Sequence, residues 1–251
     1  VNNDLATAQR QLAKRNAELR WLNEQKNELL GMAAHDLRNP LAAVIAYSEF
    51  ILEEEVNLST EQSNMLRRIQ VNGEAMLGIV EDVLDFSAIE SGTVRLDPVE
   101  VALGDLLNDV VESSGLIADK KNIRIVLAVD RDLPPVLADR RKLIQVIDNL
   151  ISNAIKFSHP GSSVTVAAGS EPGSGVWISV TDRGLGMSPE QLERLFKPFG
   201  RVGVQATGGE KSTGLGLAIA RRIIEAHRGR IEVESLAGEG TTFTVVMPRG
   251  E

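Results

Sequence analysis

Residues 32–41 read M-A-A-H-D-L-R-N-P-L, and they place the chain's first reactive imidazole. His35 and Asn39 are four apart, so a helix puts them on one face. Asp36 is adjacent, about 100° around the axis, and reaches the ring only at the flank of that face. A lone histidine on a helix is usually a surface residue or a satisfied core residue. A carboxylate against one imidazole nitrogen, however, fixes the tautomer and takes up a proton while the other nitrogen attacks.

A second constellation lies in Arg140–Phe157. Helical spacing puts Leu143, Ile147, Leu150, Ile151 and Ala154 on one face and Asn149, Asn153 and Lys156 on the other. Asparagine is a poor helix former, and two of them add nothing to a solvated stripe that Glu or Lys would not. Their amide oxygens could be neutral ligands to a hard cation such as Mg2+, with Lys156 placed for a phosphate. The helix alone leaves both readings open.

Two glycine-bearing turns follow. Thr181-Asp182-Arg183-Gly184-Leu185-Gly186-Met187 comes directly after an apolar strand pattern. Asp182 there could accept a hydrogen bond from an exocyclic amine such as adenine N6, while Gly184 and Gly186 let the backbone approach a ring. Further on, Gly208 to Leu217 reads G-G-E-K-S-T-G-L-G-L and opens a helix, whose free N–H groups attract phosphate. The sequence lacks the G-x-x-x-x-G-K-[ST] pattern, so this is no P-loop. The Gly-rich run before it also reads as a lid over a bound nucleotide.

These residues need elements to hold them. Residues 1–30 lack Pro and Gly and are rich in helix formers. Leu5, Leu12 and Leu19 form one heptad seam and Leu22 and Leu29 a second, interrupted by Ala8, Arg15 and Lys26, which predicts a dimeric coiled coil. Helical character continues through residues 41–54. Pro40 cannot donate to the Asp36 carbonyl, so a bend is expected beside His35. Ser59 and Gln62 fit a capping box that starts a helix running to about Glu90. Its apolar side is expected to carry Met65, Ile69, Met76, Ile79, Val80, Val83 and Phe86. Such a hairpin buries little alone and is expected to pair with a second copy as a four-helix bundle.

After Pro98 the pattern changes. Helices are expected over 103–120, 140–157, 189–196 and 215–227, and strands over 122–129, 164–168, 176–180, 231–234 and 241–247. That mixture without strict alternation predicts a mixed sheet with helices on one face. The chain is thus read as an α+β protein: a coiled-coil helix over 1–30, a dimerising helical hairpin over 31–96 and an α/β sandwich over 97–251.

Composition narrows the chemistry. The 251 residues include no cysteine, which excludes thiolate nucleophiles and disulfides, and three histidines, too few for a histidine-rich metal site. A net charge of −8 argues against nucleic acid as a partner. No apolar run approaches the ~20 residues that span a bilayer. The chain opens on Val1 within a charged helical pattern, so further N-terminal domains, a sensor among them, are expected upstream.

Taken in order, these segments resemble a known family. D-N-L-I-S-N-A-I-K-F-S looks like the N box, D-R-G-L-G-M the G1 box, L-F-K-P-F (Phe196 and Phe199) the F box and S-T-G-L-G-L-A-I the G2 box of the Bergerat-type ATP-binding domain. Sensor histidine kinases, gyrase, chaperone and mismatch-repair ATPases share that domain. H-D-L-R-N-P-L looks like the H box of the histidine kinases of two-component systems.

The resemblance implies that His35 is the phosphoacceptor, Asp36 its general base and Asn39 a residue orienting water for dephosphorylation of a partner. It implies ATP and Mg2+ as cofactors. Adenine would lie at Asp182 and the G1 glycines Gly184 and Gly186. Mg2+ would sit at Asn153 and Asn149, and the nucleotide would touch Lys156, Phe157, Phe196 and Phe199. Lys211, Ser212, Thr213, Gly214, Leu215, Gly216 and Leu217 would hold the phosphates. It also implies a homodimer that passes its phosphoryl group to a response-regulator receiver domain. The fragment would be cytoplasmic, within a full-length protein that could be membrane-anchored.

Asn149 stands where the ATP-hydrolysing cousins carry a water-activating glutamate, so hydrolysis should be slow. Asp36 replaces the commoner glutamate, and Phe157 stands where tyrosine is frequent. A non-catalytic nucleotide-binding scaffold and a gyrase-like clamp are the rival readings.

Overall fold

A computed structural model describes residues 2–53, 58–90, 96–171, 175–198, 200, 207 and 214–248. The chain divides into two compact units, Val1–Thr93 and Val94–Glu251.

The first unit is a helical hairpin. Helix α1 (Asn2–Glu53) runs without interruption through Pro40. Helix α2 (Thr60–Glu90) starts at a reciprocal cap. The Ser59 N–H donates to Gln62 Oε1 at 2.8 Å and the Gln62 N–H to Ser59 Oγ at 3.2 Å. Small residues bring the helices together: Ala34, Ser48 and Ser87 are buried. A Cβ on Gly73 would lie 2.9 Å from Ile45 Cγ1. Asn27 and Ser87 tie the helices by a side-chain hydrogen bond of 2.5 Å.

The expected apolar side of α2 divides. Val80 and Val83 are half-buried, whereas Met65, Ile69, Met76 and Ile79 stay 45–56% exposed. A single neighbouring helix covers one stripe of α2, and a second apolar stripe remains. Leu12, Leu19, Leu22 and Leu29 of the heptad seams are exposed as well.

The second unit layers helices on one face of a mixed sheet. Its elements are β1 (Val99–Val101), α3 (Leu103–Lys120), β2 (Arg124–Val129), β3 (Val136–Ala138), α4 (Arg140–Phe157), β4 (Ser163–Glu171), β5 (Gly175–Asp182), α5 (Pro189–Leu192), α6 (Gly216–Ala226), β6 (Arg230–Leu236) and β7 (Gly240–Met247). The main sheet has the order β2-β4-β5-β7-β6. Only β2 and β4 pair in parallel; the other three ladders are antiparallel. Strands β1 and β3 form a separate two-stranded sheet.

Alternation decides which face is covered. Val164, Val166, Ile178, Val180, Phe243 and Val245 are buried, while Thr165, Ser179, Thr181 and Thr244 between them are half-exposed. Opposite the buried set, Leu143, Ile147, Leu150, Ile151 and Ala154 of α4 keep at most 2% of their surface exposed, on the face that spacing predicts.

Asp139 starts α4: its Oδ1 accepts the Arg141 and Lys142 N–H groups, each at 3.1 Å. Burial would raise its pKa, yet those donors and the Asp97 N–H hold it below the ordinary carboxylate value. His227, at the end of α6, is buried, and its Nε2 accepts the Asp139 N–H at 2.9 Å. His227 is therefore a satisfied core residue.

Two expectations need correction. The helix expected over 189–196 stops at Leu192. Beyond it the chain winds in tight i to i−3 turns, with Arg194 N–H bonded to Gln191 O and Lys197 N–H to Arg194 O, both 3.1 Å. Strands β1 and β3 were not anticipated, because three residues are too few to show a period.

Candidate active site

The residues singled out from the sequence fall into two groups, one in each unit. On α1, His35 Nδ1 lies 3.4 Å from Asp36 Oδ1, and both side chains are exposed. That contact is long, but it turns the carboxylate toward Nδ1 and leaves Nε2 to solvent. Asn39, one turn on, is also exposed.

In the second unit, α4 presents its polar stripe at the edge of the core. Asn149, Asn153, Lys156 and Phe157 are all half-buried. Asn153 Nδ2 donates to Asn149 Oδ1 at 3.1 Å, which leaves the Asn153 amide oxygen as an acceptor. The Lys156 ammonium lies 5.5 Å from the centroid of the Phe157 ring.

Gly216 opens α6 directly against this pair. A Cβ there would lie 2.3 Å from Asn149 Nδ2 and 2.4 Å from its Oδ1. Gly214, just before, adopts a φ of 73°. Leu215 is buried and Leu217 half-buried. Lys211, Ser212, Thr213 and Phe199 lie outside the described residues.

Asp182 ends β5 and is only 6% exposed. Burial pushes its pKa up to about 6, against the pull of the Gly184 and Thr241 backbone. Its Oδ1 accepts the Gly184 N–H at 2.8 Å. The turn is pinned on both sides. A Cβ on Gly184 would lie 2.2 Å from the Phe157 carbonyl oxygen, and one on Gly186 1.9 Å from that of Leu236. Leu185 bridges the two sides: its N–H donates to Phe157 O at 3.2 Å and its carbonyl accepts from Gly238 at 2.7 Å.

The residues singled out from sequence therefore converge unevenly. Asn149 meets both Asn153 and Gly216, and Gly184 packs on the Phe157 carbonyl. Phe196 instead lies under the Arg221 guanidinium of α6, at 5.2 Å.

Two contributors escaped the sequence reading. Thr207 Oγ1 bonds the Lys156 and Ser158 carbonyls, and Lys121 Nζ bonds those of Ile155 and Lys156. Ser158 is fully buried, with its Oγ unpartnered. Nothing in the local patterns of Thr207 and Lys121 marks them, since each acts through another element's backbone.

The donor set fits a nucleotide and a magnesium ion. No group of three or more His, Asp or Glu able to hold a metal occurs among the described residues. Mg2+ is ordinarily held by one or two protein oxygens, with water and substrate phosphates supplying the others, and the Asn153 amide oxygen suits that role. Asp182 offers a buried acceptor beside glycines that allow a flat ring to approach.

Residues 138–251 match the family described as "Histidine kinase-, DNA gyrase B-, and HSP90-like ATPase", and residues 25–92 match "His Kinase A (phospho-acceptor) domain". The cell-division control histidine kinase PdhS of Brucella canis is 32% identical over 250 residues, covering 95% of this chain and 24% of PdhS. The chain thus spans about a quarter of the length of the curated relatives it matches. Full-length ShkA, solved in complex with AMPPNP, is 32% identical and superposes with a TM-score of 0.73 over 88% of this chain and 45% of its own. The catalytic domain of histidine kinase ThkA is 31% identical, with a TM-score of 0.53 over 61% of this chain and 96% of its own. With the phosphoacceptor and ATPase families matched in sequence order, and with a histidine kinase catalytic domain 31% identical and covered over 96% of its length, the chain belongs to the histidine kinases.

Proposed function

We propose that the chain is an ATP-dependent histidine kinase core that phosphorylates His35 and hands the phosphoryl group to an aspartate of a response-regulator receiver domain. The carrying observation is the contact between Gly216 and Asn149, which is itself bonded to Asn153. It joins the N and G2 boxes into one cradle, which ordinary helix packing has no need to build from asparagine.

Asp182 accepts the exocyclic amine of adenine, and the free N–H groups at the start of α6 face the phosphates. That ShkA was solved with an ATP analogue supports this use of the domain. Asn153 would hold Mg2+, which would supply positive charge to offset that of the phosphates. Lys156 adds positive charge at the end of α4. Phosphoryl transfer needs mainly positioning and charge neutralisation. His35 Nε2 attacks the γ-phosphorus of ATP, the bond from that phosphorus to the β,γ-bridging oxygen breaks and ADP leaves, while Asp36 takes up the Nδ1 proton. Asn149 has an amide where a base would be needed to activate water, so the phosphoryl group reaches His35 instead of water.

The exposed apolar stripe of α2 belongs in a homodimer, and the exposed leucines of α1 in a coiled coil that carries the input. Among the described residues no helix is long and apolar enough to cross a membrane. Asn39 shares the His35 face, which supports a second activity, dephosphorylation of the regulator by a water that Asn39 orients.

Incubation with magnesium and γ-labelled ATP tests the proposal. Label that is acid-labile and base-stable, and absent from His35→Gln, is the expected result. No label under any folded condition points to a scaffold, and free phosphate without label points to a clamp. Asn153→Ala should lose Mg-ATP binding, and labelling at the wild-type level would contradict its ligand role.

A further inference from the structure

The last carbonyls of an α-helix have no donor from their own helix, and a buried helix end must find donors elsewhere. At the end of α4 each of them is accounted for. Ala154 O accepts the Ser158 N–H at 3.1 Å, and Phe157 O accepts the Leu185 N–H at 3.2 Å. Ile155 O accepts from Lys121 Nζ at 3.0 Å, and Lys156 O from the same ammonium at 2.6 Å. Thr207 supplies the remainder. Its Oγ1 lies 3.0 Å from Lys156 O and 2.7 Å from Ser158 O. Its N–H reaches Lys156 O at 3.4 Å.

The Lys156 carbonyl is thus a node. Lys121, from the turn between α3 and β2, meets it together with Thr207, from the glycine-rich stretch before α6. An ammonium at a helix C-terminus is favoured by the dipole and makes charge-assisted bonds. A threonine hydroxyl has one hydrogen, so Thr207 divides it between two carbonyls.

We propose that Lys121 and Thr207 are positioning residues for the nucleotide. By converging on the Lys156 backbone they set the direction of the Lys156 and Phe157 side chains. Thr207 itself is thereby held at the end of the helix that carries Asn149 and Asn153. Neither residue touches ATP; each acts through α4. The inference rests on the ATP-binding reading above and adds a structural reason for the affinity.

The test is calorimetric titration of the whole chain with Mg-ATP, alongside His35 labelling at saturating nucleotide. Thr207→Val keeps the shape and removes the hydroxyl. It should weaken Mg-ATP binding about tenfold. The saturated labelling rate should stay unchanged, and the melting temperature without nucleotide should fall by only about 2–4 °C, since the Lys156 carbonyl keeps its Lys121 donor. Thr207→Ser should restore wild-type affinity. Lys121→Met should also weaken binding, and the double variant should lose less than the two single losses combined, because both act on one carbonyl.

Wild-type affinity in Thr207→Val, or equal weakness in Thr207→Ser, overturns the inference. Where Lys121→Met does not fold, the two Thr207 variants decide alone. Wild-type protein that binds ATP but never labels His35 removes the kinase reading and leaves this inference to the affinities. Wild-type protein that binds no ATP overturns both.

Discussion

The Cα of Gly216 packs against the side-chain amide of Asn149 so closely that a methyl group there would lie 2.3 Å from Nδ2. Gly216→Ala must therefore push the amide aside and break its 3.1 Å bond with Asn153. Asn149 is half-buried at the edge of the core, so the displacement falls on the site and leaves the packed face of α4 intact. We expect Mg-ATP affinity to fall at least tenfold, about 1.4 kcal/mol, with little change in melting temperature. Normal affinity in that variant, measured by calorimetry, would remove Asn149 from the site.

Asp182 gives the site a pH dependence of definite sign. Its folded pKa is raised by burial to about 6 from a reference of 3.8. The folded state therefore favours the protonated acid, and this contribution to stability is fully present below pH 3.8 and lost as pH rises through about 6. Adenine needs the opposite form, since an ionised carboxylate is the better acceptor. Lowering the pH from 7 to 5 should weaken nucleotide binding while this group's contribution to stability rises. Asp182→Asn should lose most of the affinity and melt higher than wild type above pH 6. Parallel titrations and melting curves check both, and a variant that melts lower would show that the buried charge is not a strain on the fold.

The sequence was most legible where one element is enough to hold the chemistry. The bounds of α3 and α4 follow from apolar period, and the cap at Ser59 from two residues three apart. Asn149, Asn153 and Asp182 stand out because asparagine in a helix and an acid at a strand end are costly there without a reason. Contacts across elements were hidden. Thr207 sits in a glycine-rich run with no period, and its partners are backbone carbonyls 51 and 49 residues away. The four apolar residues of α2 that stay exposed were invisible for the same reason. Period groups them with the buried ones, and only the position of α1 separates them.

The pairing of His35 and Asp36 makes a direct prediction about catalysis. A carboxylate 3.4 Å from Nδ1 can orient the ring and take its proton. Asp36→Asn keeps the size and removes the basicity, so autophosphorylation should drop by a factor of about 10² to 10⁴. Asp36→Glu should retain much of the rate. Because both side chains are exposed, neither change should alter stability noticeably. Equal rates for the Asn and Glu variants would mean that position 36 supplies no base. Asn39→Ala should leave autophosphorylation intact and slow dephosphorylation of the regulator; an unchanged dephosphorylation rate would count against a water-orienting role.

The exposed stripe of α2 supplies the last prediction. Ile69 and Met76 are seven apart, so they lie along one side of the helix, and they are 45% and 53% exposed. An apolar stripe of this length on a lone hairpin has no intramolecular partner among the described residues, and water penalises it by about 25 cal/mol per Å2. A second copy offers the same stripe by symmetry, which is how paired hairpins close a four-helix bundle. Ile69→Glu with Met76→Glu puts four like charges into that shared core. The pair should turn a dimer into a monomer at micromolar concentration in sedimentation velocity. Each hairpin should keep its helicity, since neither residue packs between α1 and α2. The isolated nucleotide site should bind Mg-ATP as before, because Asn149, Asn153 and Asp182 all belong to the other unit. A variant that remains dimeric would place the interface on another face, and one that loses helicity would show that the stripe is needed within the hairpin itself.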